Sequence, residues 1–179
     1  DGLTTGGGGI HIGYDAGRVY DTENHNIGIG NYSLGAVIAG AEYNVAIGSF
    51  ALDALTSGDN NTAVGYNAGS AVTTGFSNVI IGQDAGLSLT TGSNNVAIGR
   101  EALRNEDGHG RNVAIGLQTL FTQNAGAEAY NVAVGFQAGT SITTGINNVM
   151  MGGLALDALT TADGITAVGY AAGGALTTG

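Results

Sequence analysis

The stretch from Arg100 to Arg111, REALRNEDGHGR, gathers three of the four arginines with Glu101, Glu106, Asp107 and His109. Three acids and an imidazole could do chemistry only with convergent partners, and a metal site on a histidine would need neighbours that this spacing does not obviously bring. The other candidates are scattered. His11 and His25 lie far from His109, and Asp15, Asp84 and Glu101 are separated by many residues. Such groups do chemistry only if the elements between them bring them together.

Those elements are set by repetition. The phrases SNNVAIG, RNVAIG and YNVAVG end on Gly99, Gly116 and Gly135, and seven more copies align on Gly13, Gly30, Gly48, Gly65, Gly82, Gly152 and Gly169. In chain order the ten glycines are spaced by 17, 18, 17, 17, 17, 17, 19, 17 and 17 residues. A period this constant means that each unit is one rung of a stacked array.

Within a unit, the residue before the glycine is always a large aliphatic: Ile12, Ile29, Ile47, Val64, Ile81, Ile98, Ile115, Val134, Met151 or Val168. Two residues earlier in the chain stands Ile or Val, or Thr at Thr62 and Thr166. These flanking positions alternate as a β-strand does and share one face, which is expected to be the core face. An asparagine just before the strand recurs in eight copies, Asn26 to Asn148, and suits a turn or a stacked amide ladder. The second half of each unit, as in AGSAVTTG (Ala68 to Gly75) and AGTSITTG (Ala138 to Gly145), reads as a second short strand closed by a glycine turn.

Strand, turn, strand, turn in 17 residues is one coil of a parallel β-solenoid. The expected fold is therefore all-β, a single repeat array over residues 1–179 with about ten coils. At roughly 4.8 Å per coil the rod is on the order of 50 Å long. The chain opens on DGLTTG and closes on ALTTG, so Leu3 to Gly6 and Leu176 to Gly179 occupy the same place in the repeat. This is expected of an excerpt from a longer fibre.

Between the two flanking positions the strand carries mostly Ala: Ala46, Ala63, Ala97, Ala114, Ala133 and Ala167, with His11, Gly28, Ile80 and Met150 elsewhere. If the flanking aliphatics point inward, this small apolar column points outward and is covered by another copy of the chain. It is the expected protomer interface.

Composition narrows the partners. Fourteen acids against four arginines and no lysine give a net charge of −10, which repels nucleic acid. There is no cysteine, hence no disulfide scaffold and no thiolate metal site. No apolar run approaches the ~20 residues of a membrane span. Charged residues are only 10% of the chain, yet the hydrophobic content of 43% argues against disorder.

At this point NNVAIGREAL, NTAVGYNAG and the NNVAIG…TTG pattern carry a resemblance. They resemble the YadA-like head repeats of trimeric autotransporter adhesins, and more closely the Gly/Asn/Thr-rich repeats of phage tail fibres. The resemblance spans essentially the whole chain. It implies a homotrimeric fibre of three parallel β-rolls or interwound β-helices, and the thin inventory of convergent polar groups leads to the expectation of neither catalytic activity nor cofactor. It also implies a rigid shaft for host attachment on a virion surface or outside the cell, with binding at the tip or at loops. Its partners would be other fibre or baseplate proteins and a host-surface receptor, glycans included. The alternative within this resemblance is a bacterial surface adhesin head.

Arg104, Glu106, Asp107, His109 and Arg111 form an exposed contact loop for a receptor or neighbouring virion protein, or else a charged corner whose ion pairs fix the register of the trimer. FTQNAGAEAY, Phe121 to Tyr130, adds two residues to its coil and reads as a bulged surface turn. Asp15, Asp84 and Glu101 share a column with Asn67, Gln118 and Gln137, where calcium binding is conceivable, but the calcium-binding nonapeptide is absent. The threonine column Thr73, Thr90, Thr143, Thr160 and Thr177 invites an ice-binding reading, against hydroxyls that simply satisfy turn backbone. A glycan-active β-helix would need an acid-lined groove, for which no local signature exists. No metal ligand set is expected from these spacings. The glycine run starting at Gly6 precedes no helical pattern, which removes a phosphate loop.

Overall fold

The structure, a computed structural model, describes residues 8–17, 25–36 and 38–178; Leu3 to Gly7, Arg18, Glu23 and Gly179 lie outside them. Among the described residues there are ten strands of three residues, from β1 (Ile10–Ile12) to β10 (Thr166–Val168). They form one parallel sheet in chain order, the pairing of a β-solenoid. Register is kept residue for residue, as where Val96, Ala97 and Ile98 face Val113, Ala114 and Ile115. The 17-residue period is thus the path from one strand once around to its neighbour.

The strands are short because the closing glycine ends each one. Gly99 has φ 133°, and a Cβ there would stand 2.3 Å from the carbonyl oxygen of Gly116 in the next coil. Only glycine lets adjacent backbones approach so closely.

Beyond the glycine the expected second strand is absent among the described residues. The chain instead turns through left-handed residues two and four places on, such as Asn67 (φ 54°) with Gly69 (φ 59°), and Glu101 (φ 58°) with Leu103 (φ 51°). A further left-handed residue precedes each asparagine, as at Ser77 (φ 56°) and Asn94 (φ 61°). Each non-glycine residue held this way costs on the order of 1 kcal/mol. What offsets the cost is that the ladder continues through the corner: Asn67 N–H donates to Ser49 at 3.0 Å in the coil before, and Gly69 N–H to Ala85 at 3.0 Å in the coil after. Thr73 N–H likewise donates to Thr90 at 2.8 Å. Turn and strand alike therefore bond from coil to coil.

The inside and outside of the strand are opposite to expectation. Ala46, Ala63, Ala97, Ala114 and Ala133 are 0% exposed within the single chain, and Ala167 is buried too. This column packs into the coil's own interior, so it is not available as a protomer interface. The flanking aliphatics are the ones left accessible, with Ile47 at 38%, Met151 at 45% and Val168 at 68% exposed. The reason is volume. The interior is already filled by Leu34, Leu52, Leu103, Leu120 and Leu156 from the turn and by Leu55, Val72, Leu89, Ile142 and Leu159 beyond it, which leaves room for little more than a methyl group on the strand. The large exceptions confirm the fit. Ile80 takes up space that glycine leaves at Gly69 and Gly86, and Met150 the space at Gly139, where an added Cβ would lie 2.5 Å from the methionine sulfur.

Candidate functional site

Two features could serve a function: the exposed face of the sheet, and an interruption of the core around Glu106. The face is built from both flanking columns over ten rungs. Of its twenty positions eighteen are Ile, Val or Met, two are Thr, and none is charged. Main-chain pairing runs along the rod from β1 to β10, so what the face offers a partner is side chain, apolar at all positions but Thr62 and Thr166.

The asparagine column lies behind that face, wholly buried from Asn44 to Asn148. Each Oδ1 accepts the backbone N–H of the equivalent residue one coil on, at 2.8–3.1 Å. Each Nδ2 typically donates to a carbonyl fourteen residues ahead: Asn44 to Gly58, Asn61 to Gly75, Asn78 to Gly92, Asn131 to Gly145 and Asn148 to Ala162. Of the two readings offered by the sequence, the stacked amide ladder is the one realised.

Asn112 breaks the series. Fourteen residues ahead of it lies Gly126, inside the coil lengthened by two residues, and Asn112 Nδ2 has no hydrogen-bond partner among the described residues. The lengthened coil and the charged stretch therefore meet in one place. Arg111 pairs with Glu128 at 3.6 Å and donates to the Tyr130 hydroxyl, while its guanidinium lies 5.5 Å from the Tyr130 ring centroid. Arg104 sits over the Phe121 ring at 5.7 Å.

Of the expected contact loop, Asp107 and Arg111 are exposed and Arg104 and His109 partly so, but Glu106 is fully buried. It occupies the core position held by Leu89 one coil earlier, and Gln123 occupies it one coil later, also fully buried. The polar pair in the core was hidden from the sequence by the surrounding charge, which made the whole segment look like surface. The signal was there in Gln123, seventh after its glycine like Glu106, at a position where Val72, Leu89 and Ile142 are aliphatic.

Comparison with protein-family models, curated proteins and solved structures finds no match to this chain. The arrangement of its own residues must carry the reading.

The remaining candidates are absorbed by the rod. In the acid and amide column, Asn67 Nδ2 donates to Asp84 at 3.0 Å, Gln118 Nε2 to Glu101 at 2.8 Å and Gln137 Nε2 to Gln118 at 2.8 Å. In the threonine column the hydroxyls of Thr56, Thr73, Thr90, Thr143 and Thr160 donate to main-chain carbonyls of the next coil at 2.8–3.2 Å. Those hydroxyls serve backbone, as the turn reading expects. Near the other end Tyr32 and Phe50 stack at 5.3 Å with Tyr14 and Tyr66 edge-on at either side. Among the described residues no helix is long and apolar enough to cross a membrane.

Glu106 is electrostatically unusual. Burial pushes its carboxyl above the usual range, opposed by the His109 amide, the charge on His109 and the Ala125 amide, and reinforced by Asp107. A carboxyl raised in the folded state contributes stability that is complete below the ordinary carboxylate range and is lost as pH rises through the raised value. Glu106→Leu restores the aliphatic of the column. In chelator at pH 8 it is expected to stabilise the chain by about 1–3 kcal/mol in urea unfolding, and the gain should shrink as pH falls toward 4. A loss of stability at pH 8 would show instead that the carboxylate is well held.

Proposed function

We propose that this chain is a structural segment of a phage tail fibre or related virion appendage, in which three copies pack in parallel about one axis. The observation that carries this is the uncharged aliphatic face running the length of the rod. At about 4.8 Å per rung it extends on the order of 50 Å, and a contiguous apolar patch of that length marks an interaction surface. Each square ångström covered returns roughly 25 cal/mol. A second copy of the same rod presents the same spacing, so rungs of identical pitch can interdigitate along the whole length. No unrelated globular partner offers that match.

Such an assembly serves host attachment as a rigid shaft, on the virion surface or outside the cell, with no catalytic role or cofactor of its own. Contacts to other fibre or baseplate proteins and to a host receptor, glycans included, fall to the tip and to loops. Gly126 to Glu128, exposed on the lengthened coil, is one such loop.

Light scattering on the segment, after removal of a trimerising tag, tests the reading. The expected mass is three times 17.6 kDa. Ile81→Glu with Met151→Glu, both on the exposed face, should give a folded monomer. A wild-type chain that is folded and monomeric at all concentrations sinks the proposal.

A further inference from the structure

The position seven residues after each closing glycine lies in the core, and in one coil it holds Glu106, fully buried. Its Oε1 accepts the His109 backbone N–H at 3.2 Å and lies 3.5 Å from His109 Nδ1. Its Oε2 is buried and makes no hydrogen bond of ordinary geometry among the described residues, the Ala125 amide being the one further backbone donor that acts on the carboxyl, and His109 Nδ1 is likewise buried without a hydrogen bond. Ligand atoms of Glu106, Asp107 and His109 all lie within 4.8 Å of one another. A buried carboxylate oxygen at a core position and the buried Nδ1 of a partly exposed imidazole beside the same carboxyl are two acceptors that lack the same thing: a positive charge between them.

We propose that Glu106, Asp107 and His109 bind a divalent first-row transition ion. One imidazole nitrogen and two carboxylates are a borderline-to-hard donor set, suited to zinc, cobalt or manganese. Calcium prefers six to eight oxygen ligands, which three side chains do not approach. Asp107 is exposed and His109 half-buried, so the site opens to solvent on one side, where water completes the coordination. Glu106 anchors the ion from within the coil. The ion thereby neutralises a carboxylate at a position built for an aliphatic and ties the corner of this coil, Asp107 and His109, to its interior.

The experiment uses the full chain stripped with EDTA, titrated with ZnCl2 and, separately, with CaCl2 and MgCl2. Calorimetry should give one zinc per chain. At a free concentration about 100 times Kd, zinc should raise Tm by about 5–10 °C, and neither calcium nor magnesium should do so. His109→Ala and Glu106→Leu should each weaken zinc binding by at least the roughly 10–100-fold that loss of even an outer partner costs. Glu106→Leu keeps the test decisive if His109→Ala folds poorly, since it restores the residue type of the column. No zinc-dependent shift, a stoichiometry other than one, or retention of the shift in a folded variant would overturn the assignment.

Discussion

Alanine in place of Gly99 is expected to abolish the folded rod. The Cβ would sit 2.3 Å from the Gly116 carbonyl oxygen and 2.5 Å from its carbon, at φ 133°. No rotamer relieves this, because both parties are backbone. Relief requires moving the two coils apart, which breaks ladder bonds on either side, including Gly99 N–H to Ile81 at 2.7 Å and Gly116 N–H to Ile98 at 2.7 Å. A cost beyond about 4–5 kcal/mol belongs to this class of backbone strain, enough to consume much of the stability of a domain this size. The control is Gly126→Ala. Gly126 also has a positive φ, 68°, but an added Cβ meets nothing within 4 Å. It should cost only about 1–2 kcal/mol, the intrinsic left-handed penalty. Urea unfolding followed by circular dichroism separates the two, and a Gly99→Ala protein as stable as Gly126→Ala would refute the close-approach argument.

The second large effect concerns Asn78. Its Oδ1 accepts from Asn95 N–H at 2.9 Å, and its Nδ2 donates to Gly92 at 2.9 Å and to Asn61 Oδ1 at 3.0 Å. Alanine leaves a buried N–H and a buried carbonyl without partners, each worth about 1–3 kcal/mol, so a loss of about 3–5 kcal/mol is expected. Asn78→Asp is the sharper test. The carboxylate still accepts from Asn95 but turns a second oxygen on the Gly92 carbonyl and the Asn61 oxygen, where a donor is required. It should therefore be no more stable than alanine at pH 7, and a near-native aspartate variant would mean that the Nδ2 bonds contribute little.

Much of this was readable from residues alone. The ten strands fall where the phrase before each glycine put them, because alternation over three residues and a glycine stop are local signals. The asparagine ladder follows from a polar residue repeated at a fixed place, since a buried amide repeated every coil can satisfy only its own copies. Which side of the strand faces in was not readable from alternation, because that pattern is unchanged when the strand is turned over. Size is the misleading cue: by size alone Val and Ile belong in the core and Ala outside, whereas the leucines of the turn fill the interior. The pairing of Ile80 with Gly69 and Gly86, and of Met150 with Gly139, holds the correct answer, but it links different columns of the repeat, which reading each column by itself does not compare. The missing second strand has a similar origin. Left-handed residues such as Glu101 and Leu103 are not marked by their type, and only stacking on identical neighbours holds them there. Glu106 shows the limit of charge as a guide to exposure.

The direction of the ladder has a mechanical consequence. Bonds between coils lie along the rod, so a pull on its ends is carried undiminished through every joint, while the bonds within one joint share it. A chain of joints in series fails at its weakest member. The coils around Asn112, where one amide nitrogen of the ladder has no partner among the described residues and Glu106 and Gln123 replace aliphatics, are the least regular of the array. Adding coils makes such a fibre longer without making it stronger, and its tensile limit belongs to its least regular rung.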